Sequence, residues 1–225
     1  MIKAVLFDMD GVLYDSLPTH VQAYDDVFSK WGIKANAEDI YMLEGRTAYA
    51  TIDIIIQRNW GRNATQEEVE TICSQKSKRF VELNTVAKLI PNVIDVLEKV
   101  KQLGLKRIVV TGSGQPTLFN NLLKHFPGFF ERELMVTAYD VKNCKPHPEP
   151  YLIGLKKANL KPEEAIAIEN APLGIESAVK AGIYTIAVNT GPLPDEVLLK
   201  AGAHVLFPSM KALVEDDIWN RLTDF

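Results

Sequence analysis

Met1-Ile-Lys-Ala-Val-Leu-Phe-Asp8-Met-Asp10-Gly11-Val-Leu-Tyr-Asp-Ser16 opens the chain, and it reads as a short apolar strand that ends in two aspartates and a glycine. Residues i and i+2 of a strand point the same way. Where the pleat relaxes at the strand end, Asp8 and Asp10 can both reach one crevice. Two carboxylates held that close repel unless a cation joins them or one keeps its proton. The pair therefore predicts a hard divalent ion, Mg²⁺ above all, with an acid beside a potential nucleophile. The plainer reading is a turn after a first strand, because Asp-Gly is a common turn dipeptide.

Three later segments decide between these readings. Ile108-Val-Val-Thr111-Gly112-Ser113-Gly114 is a second apolar strand, ending in hydroxyls and glycines that let backbone N–H groups approach an anion. Cys144-Lys145-Pro146-His147-Pro148-Glu149-Pro150 is a proline-stiffened loop that carries a lysine ahead of a helix. Ala165-Ile-Ala-Ile168-Glu169-Asn170-Ala-Pro172-Leu-Gly174 is a strand, then an acid and an amide, then a helix with proline in its first turn. In an open parallel α/β sheet, ligands bind at the carboxyl ends of the strands. The four segments would meet there as a phosphoryl-transfer set: nucleophile, acid/base, a hydroxyl and a lysine for phosphate oxygens, and a metal.

The β/α alternation is interrupted once. After the first strand, Val21, Tyr24, Val27, Phe28 and Trp31 recur at helical spacing, as do Ile52, Ile55, Ile56 and Trp60. Thr65 to Glu68 reads as a capping box opening a third helix, with a stripe of Val69, Ile72, Cys73, Phe80 and Leu83. Strands resume at Lys106–Thr111, Leu134–Thr137, Ala165–Glu169, Ile183–Val188 and His204–Phe207, with helices such as Pro91–Leu103 between them. The fold class is thus α/β: a Rossmann-like parallel sheet (residues 1–14 and 90–225) with an inserted all-α cap (15–89) whose two junctions are the expected hinges.

With all four motifs present in this order, the chain resembles the haloacid dehalogenase superfamily, in its helical-cap, β-phosphoglucomutase-like phosphatase branch. The resemblance covers the whole chain and is specific for fold and reaction class rather than substrate. It implies that Asp8 attacks phosphorus and forms an aspartyl-phosphate. Asp10 would protonate the leaving group and then activate water, while Thr111 and Lys145 hold the transferring phosphoryl oxygens. Mg²⁺ would be held by Asp8, the backbone carbonyl of Asp10 and the fourth motif, Glu169 and Asn170.

Asn170 departs from the family pattern, where two acids are usual. The amide oxygen can still ligate Mg²⁺ but brings no charge. Glu44, in Met42-Leu43-Glu44-Gly45-Arg46-Thr47, is the candidate that compensates from the cap; a solvated loop glutamate is the alternative. A cap carboxylate reaching the metal would make the closed site small, suiting inorganic pyrophosphate or a compact sugar phosphate. Substrate-contact candidates are Gly112, Ser113 and Gln115 after the second strand, and Arg46, whose planar fork matches phosphate. Lys76 interrupts an apolar stripe, so it either snorkels or faces a polar cleft; in resembling mutases a lysine near this place meets substrate. His20 reads as a partly buried core histidine; in similar mutases a histidine at this offset orients the acid/base aspartate.

Composition narrows the field. The chain has 225 residues, 47% hydrophobic, enough for a real core, and a net charge of −4. No basic run points to nucleic acid and no long apolar window to a membrane. Two cysteines outside any CxxC, and an N-terminus that enters a strand at once, fit a cytoplasmic protein without a structural disulfide. The expected partner is a small phosphate substrate, and a monomer is the expected state.

The leading expectation is a Mg²⁺-dependent phosphohydrolase. A β-phosphoglucomutase-type mutase is the main rival, although the lysine and asparagine that such mutases carry after the second motif are replaced by Ser113-Gly114-Gln115. A dehalogenase would not need Asp10. A phosphoreceiver domain would lack a cap, and a non-catalytic binding module would not need the intact Asp8, Asp10, Thr111 and Lys145.

Overall fold

The computed structural model describes residues 1–114 and 118–223. Six parallel strands form one sheet: β1 (Ala4–Phe7), β2 (Lys106–Val110), β3 (Met135–Val136), β4 (Ala165–Glu169), β5 (Tyr184–Val188) and β6 (Val205–Phe207), in the order β3-β2-β1-β4-β5-β6. Ala4 is in register with Lys106 on one side and Ala165 on the other. The chain therefore winds outward in both directions from β1, and the switch point lies at its carboxyl end, where Asp8 begins.

Both faces of the sheet are covered, as an all-parallel sheet requires. Val5, Phe7, Val109, Ile166 and Ile168 pack on one side with helix α5 (Val93–Gln102) and Trp219. Ala4, Leu6, Ile108, Val110 and Ala167 pack on the other with α7 (Glu149–Ala158) and α8 (Pro172–Lys180). The remaining core helices are α6 (Leu118–His125), α9 (Asp195–Lys200), α10 (Met210–Glu215) and α11 (Ile218–Thr223).

Between β1 and α5 come α1 (Leu17–Phe28), α2 (Ala37–Met42), α3 (Ala48–Trp60) and α4 (Gln66–Leu83), which bury a separate cluster centred on Tyr24, Val27, Phe28, Ile52, Ile55, Ile56 and Ile72. The capping box read at Thr65 is present: Glu68 N donates to Thr65 Oγ1 (3.2 Å) and Thr65 N to Glu68 Oε2 (2.8 Å). The two cap junctions run side by side. Asp15 N donates to Lys88 O (2.9 Å) and Ile90 N to Leu13 O (3.1 Å). Among the described residues, no helix is long and apolar enough to cross a membrane.

Candidate active site

Strand geometry delivers the core residues. Asp8 N bonds Ile168 O (3.1 Å) and Thr111 N bonds Val136 O (2.9 Å), so both side chains leave the sheet at its carboxyl edge. Lys145 arrives from the loop before α7. Its Nζ, almost fully buried, donates to Asp8 Oδ1 (2.5 Å), Glu169 Oε1 (2.6 Å) and Val110 O (3.2 Å). Tyr151 of α7 also donates to Glu169 Oε1 (2.8 Å), while Asn170 N and Ala171 N donate to Glu169 Oε2 (3.0 and 3.2 Å). Those four donors use the lone pairs of the Glu169 carboxylate. Glu169, one of the expected metal ligands, here holds Lys145, Tyr151 and the start of α8.

The charge balance is lopsided. Burial, with Glu169 and Asp10 nearby, pushes Asp8 up to about 8 even though Lys145 pulls it down. Burial still leaves Lys145 raised, because Asp8 and Glu169 hold its ammonium form.

Asp10 sits in a different setting. Burial would raise it, but bonds from His20 and Ser16 and the charge of Lys76 overcome that and lower it. Ser16 Oγ donates to Asp10 Oδ1 (2.5 Å), and His20 Nε2 lies 3.6 Å from the same oxygen. Lys76 Nζ is 2.6 Å from His20 Nδ1. An ammonium only donates, so Nδ1 accepts and the ring proton sits on Nε2, facing Asp10. Lys76 does not snorkel: it is 6% exposed, lies over the Tyr24 and Phe80 rings, and is lowered to about 8 by burial. Phe80, expected as cap packing, stacks on His20 at 4.1 Å between ring centroids. Desolvation, and then Lys76, lower His20 as well.

The cap loop is seated on the core. A Cβ on Gly45, whose φ is +90°, would lie 2.9 Å from Lys145 Cδ, and one on Gly112 would lie 3.1 Å from Gly45 O, so the loop and the core approach closely at both glycines. Glu44 Oε2 is 3.3 Å from Asn170 Nδ2. Burial, then the charges of Asp8, Glu169 and Asp10, raise Glu44 well above the usual carboxylate range. Glu44 Oε1 and Asn170 Oδ1 are both buried without a hydrogen-bond partner. Two orphaned oxygens in a site with excess negative charge are what a hard divalent cation would satisfy. Among the described residues no three His, Cys, Asp or Glu side chains form a metal cage. The donor set that fits is mixed: carboxylates, an amide oxygen and a main-chain carbonyl.

A cleft of about 70 Å³ lies beside Asp10, with Ser16, His20, Asn84, Ser113, Asn121 and His125 among its lining residues. Ser113 thus faces the space next to Asp10. Arg46 has its Nε buried without a partner and does not line this cleft. Gln115 lies outside the described residues. Ser16, Tyr151 and Asn121 were not picked out from the sequence; a serine six residues past Asp10 reads as turn, and Tyr151 as helix core.

Comparisons agree with this geometry. Residues 5–188 match the family model described as haloacid dehalogenase-like hydrolase. The chain is 32% identical over 187 residues to a phosphorylated carbohydrates phosphatase of Thermotoga maritima, covering 82% of this chain and 84% of the relative. It is 29% identical over 188 residues to hexitol phosphatase A of Escherichia coli, covering 83% and 82%. A provisionally assigned β-phosphoglucomutase of Bacteroides vulgatus superposes with TM-score 0.92 at 48% identity, over 99% of this chain and 89% of the other. Sequence and structure alike therefore establish that the chain belongs to the haloacid dehalogenase-like hydrolase family.

Proposed function

We propose that this protein is a Mg²⁺-dependent phosphohydrolase that works through an aspartyl-phosphate on Asp8 and takes a small, highly charged phosphate, with inorganic pyrophosphate as the first substrate. The observation that carries the choice is Glu44. A cap carboxylate seated against Asn170 makes a site that is complete only when the cap is down over a compact substrate.

Asp8, the carbonyl of Asp10, Asn170 and Glu44 would hold the metal, which when bound neutralises phosphoryl charge. Asp8 forms the new O–P bond as the P–O bond to the leaving group breaks, and Asp10 gives its proton to the departing oxygen. Asp10 rests ionised, held by Ser16 and His20; as the arriving anion raises its proton affinity it takes from solvent the proton that it then gives to the departing oxygen. In the second half Asp10 takes a proton from water, which attacks phosphorus and frees phosphate from Asp8. Lys145 and Thr111 hold the phosphoryl oxygens throughout. The Lys76–His20 pair fixes the imidazole so that Nε2–H faces Asp10.

A second reading is a sugar or polyol phosphate. It is favoured by the cleft beside Asp10, where Asn84, Ser113 and Asn121 offer hydrogen bonds to a leaving group bearing hydroxyls, and by relatives named for such substrates. Phosphate release with Mg²⁺ from pyrophosphate, hexose 6-phosphates and β-glucose 1-phosphate tests both, with glucose 6-phosphate formation followed on the last. Fastest release from pyrophosphate is expected. Efficient isomerisation of β-glucose 1-phosphate without release would replace the hydrolase by a mutase.

A further inference from the structure

Tyr41 is the last turn of α2, one turn ahead of Glu44, and Glu44 N approaches Tyr41 O at 3.4 Å. The two side chains thus ride on one short piece of cap. Tyr41 lands on the core at a place far from the catalytic groups in sequence: a Cβ on Gly191 would lie 3.0 Å from its Cε1 and 3.2 Å from its Cδ1. Gly191 is not among the residues with positive φ, so its backbone would accept alanine. What needs the missing side chain is the ring.

The loop beneath the ring is anchored. Asn189 N donates to Phe207 O (2.9 Å), and Thr190 Oγ1 donates to Gly11 O (2.6 Å). Gly11 in turn lies against Asn170: its φ is +85°, and a Cβ there would fall 2.0 Å from Asn170 Nδ2. The same turn of cap therefore touches the core twice, at Gly191 through Tyr41 and at Asn170 through Glu44. Those two core points are joined to each other through Thr190 and Gly11.

We infer that Tyr41 on Gly191 is the stop that sets how far the cap closes, and that it fixes the depth at which Glu44 meets the Asn170 amide. Tyr41 and Gly191 are positioning residues. The link to the metal rests on the proposed reading of Glu44; the stop itself does not. With the cap open, Gly191→Ala meets nothing. With it closed, the added methyl lifts the ring by a few tenths of an ångström and withdraws Glu44.

The test is Mg²⁺ binding by calorimetry together with amide exchange in α2 of the Mg²⁺-loaded protein. Gly191→Ala should weaken Mg²⁺ by roughly tenfold, the low end for residues that orient a metal ligand, and should speed α2 exchange with an unchanged melting temperature. Tyr41→Ala removes the ring that the methyl meets, so adding Gly191→Ala to it should cost nothing further. Wild-type Mg²⁺ affinity and α2 exchange in Gly191→Ala would overturn the inference, as would losses that add in the double variant. Faster α2 exchange in Gly191→Ala, with wild-type Mg²⁺ affinity in Glu44→Gln, would support the stop while removing Glu44 from the metal.

Discussion

Asp8 lies among Glu169, Asp10 and Glu44, with Lys145 bonded to it, and this crowding governs what substitution and pH should do. Asp8→Asn should reduce phosphate release by on the order of 10⁴ or more, as loss of a nucleophile does. The variant should still fold, since Glu169 and Val110 O continue to hold Lys145. The raised pKa also sets a pH dependence. A cation must displace the protons that Asp8 and Glu44 retain, so Mg²⁺ affinity should rise between pH 6 and 8, by up to about tenfold per unit per proton displaced. Calorimetry at three pH values checks it. The metal-free protein should do the reverse. Asp8 moves from 3.8 in the unfolded chain to about 8 when folded, so it contributes stability at low pH that is lost as pH rises through 8. Melts in chelator at pH 5 and 8 give the sign. Asp8, Thr111 and Glu169 were readable because each closes an apolar run, and Lys145 because prolines follow it ahead of a helix. Tyr151 and Ser16 were not, because their partners are a carboxylate eighteen residues on and an aspartate across a turn, and no local pattern marks either bond.

Helix α8 starts where β4 ends, and the tightness of that junction is visible at Gly174, where a Cβ would lie 1.8 Å from Glu169 Oε1. Gly174→Ala should expel the Glu169 carboxylate from Lys145 and Tyr151 and cost about 3 kcal/mol or more, by breaking a buried charged network and overpacking together. Urea unfolding measures the loss, and turnover should fall with it. Strands of four or five apolar residues were legible as runs. β3 was expected over Leu134–Thr137 and forms only at Met135–Val136, because it pairs on one side alone at the sheet edge. Helix α2 escaped the periodicity reading because six residues give fewer than two turns, although its capping box, Asn36 with Asp39, is complete. The cap stripe was legible, but not what Lys76 meets within it: a charge on an apolar face announces a cleft or a snorkel, and only the packing of α1 against α4 supplies His20.

Among the described residues, most of the buried hydrophobic side chains of α1–α4 form one cluster and those of the sheet form others, with no member shared. Amide exchange in low denaturant should therefore show α1, α3 and α4 opening together at a lower free energy than β1, β2 and β4. Opening as one unit with the sheet would contradict the expected division at 15–89. The junctions are paired by Asp15 N to Lys88 O and Ile90 N to Leu13 O. The two-part plan was legible because one long helical stretch breaks the β/α alternation; the seating of Tyr41 was not, because it joins a cap helix to a loop that follows β5. Strand β1 also has a history during synthesis. Its partners Lys106 and Ala165 leave the ribosome long after Ala4 does, with every cap helix made in between. The cap can bury its own side chains as it emerges, through contacts near in sequence. Val5, Leu6 and Phe7 cannot, so the segment that carries Asp8 is made well before the strands on either side of it and takes its place only once both have followed.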